Sequence, residues 1–237
     1  MFHRNLKRMH YFLLIISSLF FCINVFASDF NYDTNLALKS KLADKATITS
    51  MHMHRDKILA VGVHGIILAS NDMGSTWTQA EKVPFINTLT AVQCVSESQC
   101  WAIGHDLTIL HSIDGGKNWN IQYQDPDFDA PFLSIHMTDY LNGIVVGAFG
   151  KSLTTNNGGE NWVSTIVTDD AYEPHLNSVY ASNTMKSKNG TNLMFVAGEI
   201  GQVHISSDEG LSWNMVDTEY FGSLWGGISI DQKRKLL

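Results

Sequence analysis

From residue 46 onward the chain is written in short apolar runs, each closed by Gly, Asn, Asp or Ser. One stretch shows the pattern in full: LTAVQCV (89–95), the polar turn SESQ (96–99), then CWAIG (100–104), TILHSI (108–113) and WNIQY (119–123). Runs this short, rich in β-branched and aromatic residues and bounded by turn formers, predict strands joined by tight turns, and no long 3.6-residue period competes with them. The same order returns as ILAVG with HGIILAS, GIVVG with GKSLTTN, and MFVAG with GQVHISS. The predicted unit is a four-stranded antiparallel meander.

Each meander carries one octet between its third and fourth runs: SNDMGSTW (70–77), SIDGGKNW (112–119), TNNGGENW (155–162) and SSDEGLSW (206–213). The template is Ser/Thr-x-Asp/Asn-x-Gly-x-x-Trp, and its tryptophans recur after 42, 43 and 51 residues. Periods of this size belong to repeat folds, and four strands per period favour propeller blades. The octet residues have a structural reading. Ser70, Ser112, Thr155 and Ser206 open the octets, the side chains of Asp72, Asp114, Asn157 and Asp208 bond backbone N–H groups of their own turn, and Gly74, Gly116, Gly159 and Gly210 supply a positive φ. Trp77, Trp119, Trp162 and Trp213 then enter the fourth strand and pack on the neighbouring sheet. Asn157 argues against catalysis by the octet, because an amide holds a turn but replaces no catalytic carboxylate.

These octets resemble the Asp-box, or bacterial neuraminidase repeat. The fragments ILAVGVHGIILASNDMGSTW, CWAIGHDLTILHSIDGGKNW and FVAGEIGQVHISSDEGLSW are similar to the blade core of propellers of the photosystem II stability/assembly factor type. The resemblance covers about residues 46–237 and implies an all-β propeller of four-stranded antiparallel blades. The expected units are about 46–85, 86–131, 132–175 and 176–223, with a partial fifth from 224–237. LWGGISI stands where a fifth unit places its first strand, and no further octet follows. The expectation is an open, incomplete ring, cut short at its C-terminal end; the alternative is a small closed ring in which Ser28–Ala46 supplies the missing strands.

Composition adds location and charge. Arg4, Lys7 and Arg8 precede an apolar run from Tyr11 to Phe26, and Val25-Phe26-Ala27 offers a small residue before Ser28, so residues 1–27 read as a secretory signal peptide or an uncleaved signal anchor, and 28–45 as an N-terminal segment. Export to a periplasmic or extracellular space is expected. The leader holds three of the 16 basic residues and none of the 23 acidic ones, so the remainder carries 13 against 23 and a net charge of −10. Such a surface repels nucleic acid and anionic lipid and prefers cationic or metal-bearing partners. Two cysteines remain beyond the leader, Cys94 and Cys100, and an even pair this close in an exported chain predicts one disulfide.

The chemistry expected is recognition. A sialidase-like site needs clustered arginines, and beyond the leader there are two, Arg55 and Arg234. Another glycoside hydrolase mechanism remains as the enzymatic alternative, and a remnant without function is a third reading. No cofactor motif is present. Met51-His52-Met53-His54 offers soft ligands, but His52 aligns with Gln93, His136 and Tyr180 as a tolerant polar position; Asp125-Pro126-Asp127-Phe128-Asp129 resembles half of a calcium loop without its Gly and closing Glu. No metal is therefore expected. In an up-and-down blade the turns between strands two and three share one face with the inter-blade connections. That face collects His105, Asp106, Asp125, Asp127, Asp129, Phe149, Asp169, Asp170, Tyr172, Glu173, His175, Glu199 and Tyr220 as partner-binding candidates, with Glu81, Phe128, Asp217 and Glu219 beside them. The expected function is a non-enzymatic, exported scaffold or assembly factor for an envelope membrane complex, with membrane contact only through that partner or the anchor.

Overall fold

The computed structural model describes residues 36–169, 171–229 and 235–236; the expected leader, residues 28–35 of the N-terminal segment, Asp170 and Arg234 lie outside the described residues. Four sheets follow one another, each of four antiparallel strands in sequence order. The first holds β1 (Ile48–His54), β2 (Lys57–Gly62), β3 (Ile67–Ser70) and β4 (Thr78–Gln79). The second holds β5 (Leu89–Cys94), β6 (Cys100–Gly104), β7 (Thr108–Ser112) and β8 (Asn120–Tyr123). The third holds β9 (Phe132–Met137), β10 (Gly143–Gly147), β11 (Ser152–Thr155) and β12 (Val163–Ser164). The fourth holds β13 (Leu176–Lys186), β14 (Asn192–Gly198), β15 (Val203–Ser206) and β16 (Asn214–Val216), and β17 (Ile228–Ser229) with β18 (Lys235–Leu236) begins a fifth. The 51-residue last period is explained by the long hairpin of β13 and β14, whose tip Ser187–Thr191 closes on a backbone bond.

The core lies between sheets. Along β6 every residue is buried, because side chains of one strand alternate between two neighbours. Cys100 and Ala102 meet Leu59, Val61 and Ile67 of the first sheet, while Trp101 and Ile103 meet Phe132, Ile135 and Val145 of the third. Ile144 and Val146 of β10 then face Val179, Met194 and Val196 of the fourth. Among the described residues the strands form an all-β, incomplete propeller with no closed ring. Residues 37–46 supply no strand to the last sheet. They run beside β4, where Gln79 donates to Leu38 O (2.8 Å), and lay Ala43 and Ala46 over Ala60 and Leu68 on the otherwise free face of the first sheet.

Each octet folds the same way. Its hydroxyl donates to the Asp or Asn Oδ1 (2.8–2.9 Å) and accepts the Gly N–H two residues further on (2.8–2.9 Å). Oδ1 in turn accepts the N–H four residues beyond itself, from Thr76, Asn118, Asn161 and Ser212 (2.8–3.0 Å). The tryptophans differ from expectation in one respect: the fourth strand begins one residue after each of them. The reason is visible at Trp119, whose backbone N–H goes to Lys82 O of the preceding connection and whose indole N–H turns back to Gly116 O (2.9 Å). Trp119 is fully buried against the first sheet; Trp162 and Trp213 are half-buried in the next two inter-sheet cores, and Trp77 rests on Ala43, Ala46 and Ile48. Cys94 and Cys100 pair across the first hairpin of the second sheet as a disulfide.

Three outcomes are expected. Trp119→Ala should cost about 3–5 kcal/mol in chemical denaturation, and Trp77→Ala distinctly less, because only the former leaves a fully enclosed cavity. Removing the disulfide by Cys94→Ala with Cys100→Ala should cost about 2 kcal/mol and leave the chain folded; thiol titration of the unfolded, unreduced protein should find neither cysteine reactive. Asp72 is held down to about 2 by hydrogen bonds, first from the Thr76 hydroxyl, then from backbone N–H groups and Ser70. A lowered carboxylate stabilises the fold above its ordinary value of 3.8 and loses that contribution as pH falls towards 2. Asp72→Asn should therefore fold at neutral pH, as the Asn157 octet does, and show a shallower acid transition between those limits.

Candidate functional site

Hydrogen bonds divide the turns into two sets. The octet turns join the first hairpin turn of their own sheet, with Gly115 N–H on Ser98 O and Gly158 N–H on Leu141 O (2.9 and 2.8 Å). The turns between second and third strands instead hold the connections: Gly65 N–H donates to Asn87 O, Leu107 to Ala130 O, Gly150 to Pro174 O and Gly201 to Gly222 O, all at 2.7–3.0 Å. Gly201 shows why the last turn residue is so often glycine, since a Cβ there would collide with the Tyr220 carbonyl oxygen.

The residue before that position is left-handed in every sheet: His64 (φ 57°), Asp106 (φ 55°), Phe149 (φ 54°) and Ile200 (φ 56°). A left-handed conformation costs a non-glycine residue roughly 1–2 kcal/mol. His64, Phe149 and Ile200 are exposed, whereas Asp106 is half-buried and accepts a hydrogen bond from Asn87 Nδ2 (2.7 Å). His64 and Ile200 are not among the residues that sequence reasoning selects; the signal that marks them is their place just after each Val/Ile/Ala-Gly strand end.

Phe149 is the centre of a contact chain across three sheets. Its ring is 45% exposed and meets His175 edge-on (4.9 Å) and Phe128 edge-on (6.1 Å). Phe128 comes from the connection after β8, and the Lys151 ammonium stands 4.4 Å over its ring. His175 comes from the connection after β12. Its Nδ1 accepts the Phe149 N–H (3.0 Å), which puts the ring proton on Nε2; the Glu199 carboxylate, 3.9 Å from Nδ1, instead accepts the His175 backbone N–H (2.9 Å). Beside Phe149 an open cleft of about 400 Å³ is lined by Lys151, Ile166, Thr168, Asp169 and Glu173.

The remaining candidates are dispersed around this chain. Asp125 is half-buried and its N–H donates to Asp106 O (2.9 Å), while Asp127 and Asp129 flank Phe128 and are exposed. Tyr172 is 85% exposed, Tyr220 lies exposed in the connection beside Gly201, and His105 is half-buried with its N–H on Thr88 O. Asp170 lies outside the described residues. Glu81 pairs with Lys117 of the next octet (3.3 Å) and so does not join the set. Lys151 escapes sequence reasoning, because its contact with Phe128 crosses from one repeat to the next.

The first-strand position of His52 proves to be an inter-sheet bridge. His52 Nε2 donates to Cys94 O (3.1 Å), and Gln93 Oε1 accepts the Met137 N–H (2.6 Å). Burial lowers the pKa of His52 and of His136. Among the described residues no group of three or more His, Cys, Asp or Glu side chains is arranged to hold a metal ion, and none of their helices is long and apolar enough to cross a membrane. A second cleft of about 420 Å³ on the octet side is lined by Asp139, Asn142, Asn156, Asn161 and Leu211; there the Asp139 carboxylate is occupied by Leu141 and Asn142 of its own turn.

Residues 23–223 match the family model described as the DUF6242 beta propeller domain. No curated protein matches the sequence. The solved structure of YCF48 bound to D1 peptide superposes with TM-score 0.57 at 19% identity, over 77% of this chain and 58% of that one. An ancestral GH74 enzyme gives TM-score 0.58 at 13% identity, over 72% of this chain and 24% of that one. The GH74 xyloglucanase from Xanthomonas campestris gives 0.51 at 11%, over 77% and 26%. The chain thus spans little more than half the length of the YCF48 chain and about a quarter of the GH74 chains. Identities this low establish a shared propeller fold, one that hosts unrelated functions. With 201 residues matched to one domain model and four successive four-stranded sheets, the chain belongs to the DUF6242 beta propeller domain family.

Proposed function

We propose that this chain is an exported, non-catalytic propeller that binds a protein segment of an envelope membrane complex and serves its assembly or stability. The observation that carries the reading is the exposed Phe149 ring, held in a left-handed turn and buttressed by Phe128 and His175 from both adjoining connections. An aromatic side chain set among charges on a rigid scaffold is the usual anatomy of a recognition surface. The D1 peptide bound to YCF48, a propeller of the same fold, supports the reading by analogy. The enzymatic alternative finds less support: Arg55, the one arginine in the described residues, is engaged with Glu97.

Phe149→Gly tests this, because glycine accepts a φ of 54° without strain, a gain that offsets the lost contacts of the side chain. The variant should keep its thermal midpoint or gain slightly, while capture of a stoichiometric partner from envelope extract by the tagged full chain falls at least fivefold. Undiminished capture would place the partner elsewhere. Release of reducing ends from xyloglucan by the purified wild-type chain would overturn the non-catalytic assignment.

A further inference from the structure

The chemistry of the partner segment can be narrowed, given the recognition surface just proposed. Around Phe149 and Phe128 stand the carboxylates of Asp125, Asp127, Asp129, Asp169 and Glu173, and among the described residues none of them has an ion-pair partner. One cation lies in their midst, Lys151, and it rests over the Phe128 ring at 4.4 Å. That contact is an internal specimen of what the surface accepts: a cation on an aromatic face. Phe149, 45% exposed, offers a second aromatic ring to such a cation. The adjoining cleft of about 400 Å³ has Asp169 and Glu173 in its wall and Ile166 and Thr168 beside them, which suits a long side chain with an apolar stem and a charged head.

We infer that the surface binds an extended, arginine-bearing polypeptide segment, with one guanidinium stacked on Phe149 and paired to a carboxylate of the cleft, and further cations near Asp127 and Asp129. Arginine fits better than lysine, because its planar group stacks on an aromatic ring and pairs bidentately with a carboxylate at once. The net charge of −10 beyond the leader adds long-range attraction for such a segment and repels acidic ones. This rests on the protein-binding reading, and is separable from it, because a partner lacking arginine would still be captured from extract.

The test uses the purified full chain and a fluorescein-labelled eight-residue peptide of alternating arginine and glycine, with the citrulline version as its neutral isostere. Fluorescence anisotropy at physiological salt should show binding of the arginine peptide and at least tenfold weaker binding of the citrulline peptide. Phe149→Gly should weaken the arginine peptide about three- to tenfold without altering net charge. Asp127→Lys with Asp129→Lys should weaken it further and flatten its salt dependence. An arginine peptide that binds wild type and Phe149→Gly alike reports diffuse attraction to an acidic protein and overturns the inference. Equal binding of the two peptides, or of neither, overturns it too, while envelope capture by the same preparation decides the broader protein-binding reading independently.

Discussion

A four-stranded meander with apolar residues on both faces cannot exist alone, and that constraint organises this molecule. In β6 the five residues from Cys100 to Gly104 are all buried, with alternate side chains committed to sheets on either side. A buried aromatic removes about 150–250 Å² from water. At ~25 cal/mol per Å², burying Trp101 is worth at most about 4–6 kcal/mol, shared between the contact with the third sheet and its stacking on His111 of its own sheet. Stability therefore resides between repeats, and the hydrogen-bonded meander only sets the spacing at which neighbours meet. At the first sheet, residues 37–46 cover the face turned away from the second sheet, with Ala43 and Ala46 packed on Ala60 and Leu68.

Side-by-side packing of sheets fixes the connections as well. Each connection crosses one end of the assembly and is caught by the turn between the second and third strands, through at least one backbone bond in each of the four four-stranded sheets. A connection so held is no longer a free loop. Phe128 and His175 both sit in such segments, and this is why two residues 47 apart in sequence can meet the same Phe149 ring. The glycine at the end of the second strand belongs to the same device: a Cβ on Gly62 would strike the Thr47 carbonyl oxygen, so the incoming chain passes closer than any side chain would permit.

What is legible in the sequence is what repeats. The strands of the second sheet fall where the runs LTAVQCV, CWAIG and TILHSI place them, the octet turns bond as their residue types require, and Cys94 meets Cys100 because antiparallel register sets them opposite each other. What is illegible is what happens once. Lys151 over Phe128 and Phe149 against His175 join different repeats, and no local period marks either pair. Trp119 reads as a strand residue because strand and turn adjoin there; its backbone N–H is claimed by Lys82 of the preceding connection, a tertiary bond that overrides the local pattern. The polar position of His52 and Gln93 looks tolerant along the chain, yet both side chains bridge to the next sheet's backbone.

The two ends of the assembly differ in how their side chains are used. At the octet end the same template of Ser or Thr, Asp or Asn, Gly and Trp returns in each repeat, and the turn itself uses the polar atoms, as with Ser112, Asp114 and Gly116. At the connection end one backbone conformation returns while the side chain on it changes from His64 to Asp106, Phe149 and Ile200. A left-handed φ favours Gly or Asn and is indifferent to what else an occupant might do. The backbone therefore does not select a phenylalanine or an isoleucine there, and the inter-sheet core does not bury either one. Phe149 is thus a side chain that neither the turn nor the inter-sheet core requires, held in place at a conformational cost, and the recognition surface proposed around it gives that cost a use.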